Sequence, residues 1–339
     1  MTRMPRRHLA LLAAGTAVLV SLAACSAGGY SQTPLSPTPT GSVTTSAPAP
    51  APTTAASKCN PVPAGFNAVQ SYDPLPALPA ADSLTGRLAE IRARGYLIAG
   101  VSADTLLMGA RNPLSGQIEG FDIDLVREIA KAILGDPSKV QLVVITAGQR
   151  QSFLVERKVD LVARNMTMTC ARWLDWPIAF SAEYYHAGQK VLVRKGSTAK
   201  SLDDLAAAKA KVCAPTGTTS MAKLTDYVAK GAVAVSADTH TGCLVLFQQA
   251  KVDAITGDDT VLAGLASQDP YAVVPAQDAI TAEPYGLGFN AEDKVFVQYV
   301  NRLLETMKAD GRWKASYERW LARSLGPAPT PPAAAYGRA

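Results

Sequence analysis

The feature that most constrains the fold is a regular alternation between two kinds of apolar segment. Short β-rich runs at residues 96–101, 141–146, 191–193, 211–214 and 271–274 are separated by stretches with helical periodicity. This alternation is typical of α/β proteins, in which helices pack on largely parallel sheets. It extends over residues 84–325, roughly 240 residues, which is long for one core and suits two lobes.

The clearest helix is predicted at residues 121–134. Two aspartates lie in its first turn, where the helix dipole favours acids, and Gly135 ends it. A second helix is predicted at residues 293–310, before Gly311. The apolar face of the first helix consists of Phe121, Leu125, Ile129 and Ile133.

The N-terminus has the layout of a secretory signal, with three arginines before an uncharged apolar run at residues 9–24. The run is short for a bilayer span. Its end, Leu-Ala-Ala-Cys at residues 22–25, resembles the lipobox of bacterial lipoproteins. We therefore expect a signal peptide at residues 1–24 and a lipid anchor on Cys25, with a plain cleaved signal as the alternative.

The next segment, residues 26–57, contains no charged residue and consists mostly of Pro, Ala, Ser, Thr and Gly. Such a composition buries too little apolar surface to fold. With Cys25 it predicts a semi-rigid tether, followed by a pre-domain segment at residues 58–85. We expect the folded part to be extracytoplasmic, on the outer face of the cytoplasmic membrane.

Charge and motifs exclude several classes of function. The formal charge is +5, and three of the positive charges belong to the signal, which leaves too little for a nucleic-acid surface. His8, His186 and His240 are scattered, so no metal site is predicted. A phosphate loop, a GxSxG elbow and a dinucleotide fingerprint are absent from the sequence. We therefore predict neither an enzyme nor a bound cofactor.

Four cysteines remain once Cys25 is assigned to lipid: Cys59, Cys170, Cys213 and Cys243. An even set in an oxidising compartment predicts two disulfides. The sequence alone permits three pairings.

Four segments carry a family resemblance. GFDIDL at residues 120–125 resembles the GFDxDL segment of the polar amino-acid-binding proteins of ABC importers. The other three, in the family's order, are similar to its binding strand with an arginine, its second-lobe loop and its ammonium-binding turn. They are NMTMT at residues 165–169 with Arg172, TGTTS at residues 216–220, and Asp258 with Asp259.

The resemblance implies a type II periplasmic-binding-protein fold, with two α/β lobes joined by two hinge strands that close around a ligand. The chain would leave lobe one near residues 192–196 and return through residues 286–289. Gly196 and Gly286 would serve there as hinge glycines or as ordinary turn glycines. The expected parts are lobe one at residues 86–193 and 285–325, lobe two at 194–284, and a flexible tail at 326–339.

The lobe assignment bears on the disulfides. Cys213 and Cys243 would lie in neighbouring elements of lobe two, and their surroundings resemble those in glutamate-binding lipoproteins of actinobacteria. We therefore favour the pairs Cys213–Cys243 and Cys59–Cys170.

The resemblance also implies a site for a free amino acid. Arg172 would bind the α-carboxylate with its planar fork, and Thr218 and Thr219 would bind the same group from the opposite lobe. Asp258 would pair with the ammonium group, because a buried cation requires a countercharge. A structural turn is the alternative for the two threonines.

The remaining candidates are less constrained. Asn165 and Thr167 complete the α-group contacts or are polar-face residues of their strand. Arg150 would bind a distal carboxylate, because glutamate and aspartate binders resemble this chain in having an arginine there. His240 faces the ligand or is structural. Tyr184 lines the cleft or belongs to the core.

One departure weakens the acidic assignment: some aspartate/glutamate binders have a second arginine where this chain has Ser102. We predict a monomeric lipoprotein that captures glutamate or aspartate for an ABC importer, with asparagine and glutamine as further candidates. The alternatives are a sensor that docks on a membrane receptor and, least favoured, an enzyme related to the dehydratases that resemble these binders.

Overall fold

The computed structural model describes residues 57–339. The signal-peptide and Cys25 predictions, and the tether up to residue 56, lie outside the described residues. In the described range no helix has the length and apolar character that a membrane crossing requires.

The first part of the chain builds most of lobe one. Its elements are α1 (Gly86–Arg94), β1 (Leu97–Val101), β2 (Asp104–Thr105), β3 (Gly109–Arg111), β4 (Ile118–Glu119), α2 (Phe121–Leu134), β5 (Val140–Val144), α3 (Arg150–Val155), β6 (Leu161–Ala163), α4 (Cys170–Leu174) and β7 (Ile178–Phe180).

The middle of the chain builds lobe two. Its elements are β8 (Tyr185–Arg194), α5 (Leu202–Ala207), β9 (Lys211–Pro215), α6 (Thr219–Thr225), β10 (Val233–Ala237), α7 (His240–Gln248), β11 (Ala254–Asp258), α8 (Asp259–Ala266), β12 (Ala272–Val273) and β13 (Ala282–Tyr285). Its sheet has the order β10-β9-β11-β8-β12, with β13 beside β8.

The chain then returns to lobe one. The returning elements are β14 (Gly288–Asn290), α9 (Lys294–Ala309), α10 (Arg312–Trp320) and α11 (Ala322–Leu325). Strand β14 enters the sheet β5-β1-β6-β14-β7 antiparallel to both of its neighbours. Lobe one is therefore assembled from two separate stretches of chain. It has one buried apolar cluster, whereas lobe two has two.

Two strands cross between the lobes as an antiparallel ribbon. Tyr185 to Gly188 of β8 pair with Tyr285 to Ala282 of β13, and the rest of β8 pairs with β11 and β12. The expected crossing at residues 192–196, and hence the lobe boundary at 193/194, is wrong. Gly196 lies in an exposed turn after β8, because the apolar run at residues 191–193 is the buried centre of the lobe-two sheet rather than a hinge.

Helix α2 has the predicted limits, and its first turn holds a loop that lines the cleft. Phe121, Leu125 and Ile129 are buried, and Gly135 ends the helix with a left-handed φ of 77°. At its first turn the buried Asp122 carboxylate accepts hydrogen bonds from the Asn165 backbone N–H, at 2.8 Å, and from a tyrosine hydroxyl. The start of α2 thereby fixes the loop that follows β6.

Both ends of the described chain are attached to lobe one. The disulfides are Cys59–Cys170 and Cys213–Cys243, the two pairs favoured from the sequence. The expected flexible tail at residues 326–339 is wrong: the Ser71 N–H donates to the Ala335 carbonyl at 2.8 Å, and the Arg338 N–H donates back to the Ser71 carbonyl at 3.0 Å. These are backbone contacts between distant segments, which local composition does not reveal.

Asn301 on α9 should be a strong determinant of stability. Its buried amide accepts from the Ala182 N–H at 2.7 Å and donates to Ser71 Oγ at 2.9 Å and to the Tyr72 carbonyl at 2.8 Å. Asn301→Ala would leave buried polar groups unpaired, and we expect a loss of about 2–4 kcal/mol in the free energy of unfolding. Urea denaturation measures it, with the half-buried Gln298→Ala on the same helix as the control. Equal losses in the two variants would contradict this role.

Candidate ligand-binding site

A small cavity lies between the two lobes. It is lined by polar and charged side chains from both sides, at the ends of strands and the starts of helices. The lining residues are Arg150, Arg164, Asn165, Thr167 and Arg172 of lobe one and Thr218, Thr219, Ser220, His240 and Asp258 of lobe two. The structure thus brings together every sequence candidate for this site except Tyr184.

Two of the arginines reach across to lobe two. Arg150 Nη2 donates to the Gly217 carbonyl at 3.0 Å and its Nε donates to the Ala147 carbonyl at 2.9 Å. Arg172 Nη1 donates to the Thr167 carbonyl at 2.6 Å, and its Nη2 lies 3.4 Å from the Gly217 carbonyl. Both guanidinium groups therefore contact one backbone oxygen of the opposite lobe.

Burial and mutual repulsion destabilise these cations. Desolvation lowers the pKa of Arg172 to about 10 and that of Arg150 well below its ordinary value, with further repulsion of Arg150 by Arg172 and Arg164. Because arginine keeps its proton in proteins, both groups line the cavity as buried cations.

Asp258 is the one carboxylate that lines the cavity. It is buried at the end of β11 and accepts a hydrogen bond from the Tyr285 hydroxyl at 2.6 Å. Desolvation, reinforced by the nearby Glu283, raises the pKa of Asp258 to about 8. A cation placed against Asp258 would restore its ionised form.

Glu283 was not recognised from the sequence. It is buried on the crossing strand β13, where one of its oxygens accepts from Thr167 of lobe one at 2.6 Å and from Thr219 of lobe two at 2.7 Å. Thr281 donates to its other oxygen at 2.7 Å. The one available signal was a charged residue inside an otherwise apolar return strand.

Arg164 was also missed, although it directly precedes Asn165. It follows the buried strand β6 and is itself 3% exposed. Its Nε donates to the Ile145 carbonyl at 2.8 Å. Desolvation lowers its pKa, while Asp104 and Asp122 partly offset that effect.

Two buried polar atoms of the lining lack a hydrogen-bond partner within the described range. They are Nε2 of His240 and Oδ1 of Asn165. Desolvation lowers the pKa of His240 to about 3, with Arg164 as the next cause, so the imidazole is neutral at physiological pH. Gly257 leaves room for it, since a Cβ there would lie 2.9 Å from Nε2. Buried polar groups of this kind are normally satisfied, so both are available to a ligand.

The lobe-two threonines differ in what they offer the cavity. Thr218 caps α6: its hydroxyl accepts from the Met221 N–H at 3.1 Å and donates to the Pro215 carbonyl at 2.7 Å. Its hydroxyl is therefore occupied, which leaves its backbone for a ligand. The Thr219 hydroxyl is held by Glu283 and lies 3.4 Å from that of Thr167.

Tyr184 does not line the cavity, which corrects its assignment as a ligand residue. It is fully buried in the lobe-one core, and its hydroxyl donates to Asp122 at 2.7 Å. It supports the site indirectly, because Asp122 in turn holds the backbone of Asn165.

The lobes also meet outside the cavity. Thr241 Oγ1 donates to an Asp104 carboxylate oxygen at 2.6 Å across the cleft. On α8, a Cβ added at Gly264 would lie 2.5 Å from the Leu106 carbonyl, so backbone packs directly on backbone there.

The sequence profile of bacterial extracellular solute-binding proteins, family 3, matches residues 97–323. The chain is 33% identical over 240 residues to an ABC transporter glutamine-binding protein of Bacillus subtilis, covering 71% of this chain and 86% of that one. It is 30% identical over 254 residues to a glutamate-binding protein of Corynebacterium efficiens, covering 71% and 82%.

Solved structures show the same fold. A mutant of ArgBP from T. maritima has a TM-score of 0.63 and 29% identity, covering 69% of this chain and 99% of that one. The solute receptor for L-cysteine of Neisseria gonorrhoeae has a TM-score of 0.66 and 26% identity, covering 71% and 96%.

The buried Asp258 should make stability depend on pH. Its folded pKa of about 8 lies above its ordinary value of 3.8, so between these values the folded state binds more protons than the unfolded state. The free energy of unfolding therefore falls as pH rises towards 8, by up to about 1.4 kcal/mol per pH unit from this group. Asp258→Asn should reduce that slope between pH 5 and 8, whereas the exposed Asp238→Asn should retain it. Identical slopes for Asp258→Asn and the wild type would contradict the assignment.

Proposed function

This chain belongs to the bacterial extracellular solute-binding proteins of family 3, and from that premise we propose that it binds an acidic amino acid, glutamate or aspartate, for an ABC importer. Two relatives support an amino-acid ligand and an importer, because their names specify glutamine binding for an ABC transporter and glutamate binding. The choice of an acidic ligand rests on the charges of the cavity.

The observation that carries this choice is an excess of positive over negative side chains at the cavity. Three guanidinium groups, of Arg150, Arg164 and Arg172, line the cavity together with the carboxylate of Asp258. A second buried carboxylate, that of Glu283, is hydrogen-bonded to two lining threonines, so three cations face two carboxylates. A neutral amino acid brings one carboxylate and one ammonium group and leaves that excess unchanged. Glutamate or aspartate brings a second carboxylate, which reduces the cost of burying three cations.

The backbone groups of the ligand have natural partners. Arg172 binds the α-carboxylate through its fork, and the Thr218 and Thr219 backbone approaches it from lobe two. Asp258 pairs with the ammonium group. The unpaired Oδ1 of Asn165 is a further acceptor for that group.

Closure of the lobes accompanies binding, because the ligand's partners are divided between them. The antiparallel ribbon of β8 and β13 is the only strand connection that the topology of the described residues gives, and it is the natural hinge. Glu283 contributes to the closed form, since Thr167 and Thr219 donate to the same oxygen from opposite lobes.

We further propose that the protein is a lipoprotein, anchored through Cys25 to the outer face of the cytoplasmic membrane. The apolar run at residues 9–24 and the tether composition support this proposal.

A ligand panel tests the proposed function. Isothermal titration of the purified protein, stripped of carried ligand by unfolding and refolding, should show glutamate and aspartate binding at least tenfold more tightly than glutamine. Arg172→Ala should weaken glutamate binding more than about 100-fold, because it leaves the α-carboxylate buried without its cation. The exposed Arg319→Ala is the control. Tight binding of glutamine or arginine alone would refute the acidic assignment.

A second test addresses closure. Gly264→Ala should weaken ligand binding at least tenfold, because the added methyl group obstructs the approach of α8 to the Leu106 carbonyl. The free energy of unfolding should not fall, since alanine favours a helix over glycine by about 1 kcal/mol. Gly148→Ala, where the nearest atom to the new Cβ is 4.0 Å away, is the matched control. Wild-type affinity in Gly264→Ala would show that this contact is not part of the closed form.

A further inference from the structure

Arg164 is the least satisfied cation in the described part of the cleft. Its Nε is bound to the Ile145 carbonyl, whereas its two terminal nitrogens have no hydrogen-bond partner among the described residues. Asp104 and Asp122 lie near enough to raise its pKa, yet neither forms an ion pair with it. A guanidinium group on a residue that is 3% exposed and forms no ion pair with a described residue is costly to bury.

The other two arginines of the cavity are differently placed. Arg150 donates hydrogen bonds to the carbonyls of Ala147 and Gly217. Its Nη1 lies 3.4 Å from two further carbonyls, those of Arg164 and Asn165. Its hydrogen-bonding capacity is largely committed to backbone on both sides of the cleft.

His240 adds a second donor on the side of Arg164. Its Nε2 is buried without a partner among the described residues, and after desolvation Arg164 is the largest cause of its lowered pKa. The remaining charged groups that act on His240 are Asp104 and Arg150. A neutral imidazole can hold one proton on Nε2 and donate it, and a free guanidinium fork beside it supplies charge and further N–H groups.

We propose that Arg164, assisted by His240 Nε2–H, binds the side-chain carboxylate of the ligand and selects acidic amino acids over their amides. Arg150 is then a positioning residue that links the two lobes through backbone carbonyls. This inference rests on the proposed function, because it assigns a subsite within the proposed amino-acid site. Some aspartate/glutamate binders have a second arginine at the position of Ser102. In this chain Arg164 would supply that second arginine from a different position.

The test compares two charge-removing variants. Arg164→Gln and Arg150→Gln are titrated with glutamate, glutamine, aspartate and asparagine alongside the wild type. Arg164→Gln should weaken glutamate and aspartate binding at least 100-fold and change glutamine and asparagine binding less than fivefold. Arg150→Gln should weaken acids and amides by similar factors. Arg164→Lys, which retains the charge, should recover part of the preference for acids.

The melting temperature of the unliganded protein distinguishes a ligand-binding role of Arg164 from a structural role. Removing an unpaired buried cation should raise the melting temperature of unliganded Arg164→Gln, whereas loss of a structural arginine would lower it. Equal losses for acids and amides in Arg164→Gln, a selective loss in Arg150→Gln, or failure of Arg164→Gln to fold would each overturn the inference. If the wild type bound neither glutamate nor aspartate, the proposed function would fail, and this assignment with it.

Discussion

The cleft is defined above all by three guanidinium groups that are buried between the two lobes. Arg150 and Arg172 both contact the Gly217 carbonyl, so a single backbone oxygen of lobe two faces two cations of lobe one. Asp258 lines the same cavity and accepts a hydrogen bond from the Tyr285 hydroxyl. This arrangement divides the groups that we propose as ligand partners between two walls, which must approach each other to complete the binding site.

The hinge region is part of the site rather than a passive connection. Glu283 lies on a crossing strand, and hydroxyl groups from both lobes donate to it. Gly264 marks a second place where the lobes touch, this time backbone against backbone. Several separate contacts of this kind fix the geometry of the closed form. A partner protein can therefore distinguish the closed form from an open form.

Local sequence patterns predicted the parts of the fold that depend on local chemistry. Helix α2 has the predicted limits because its apolar period, its acidic first turn and Gly135 agree. We predicted the crossing between the lobes at the wrong residues because the apolar run at residues 191–193 is equally typical of a hinge strand and of a buried strand at the centre of a sheet. The attachment of the tail to Ser71 depends on backbone contacts between residues more than two hundred positions apart.

The sequence by itself determined the two-lobed α/β class and the membership of Arg172, Asp258 and Arg150 in one site, since short motifs in a fixed order carry that information. Only the tertiary structure decided which donors are already in use. Arg150 donates to a carbonyl of its own loop and to that of Gly217, 67 positions along the chain. Arg164 uses only its Nε within the described residues, and the unpaired His240 Nε2 lines the same cavity. The physical reason is that hydrogen-bond satisfaction of a buried group is set by which distant backbone atoms surround it, and no residue type specifies that locally.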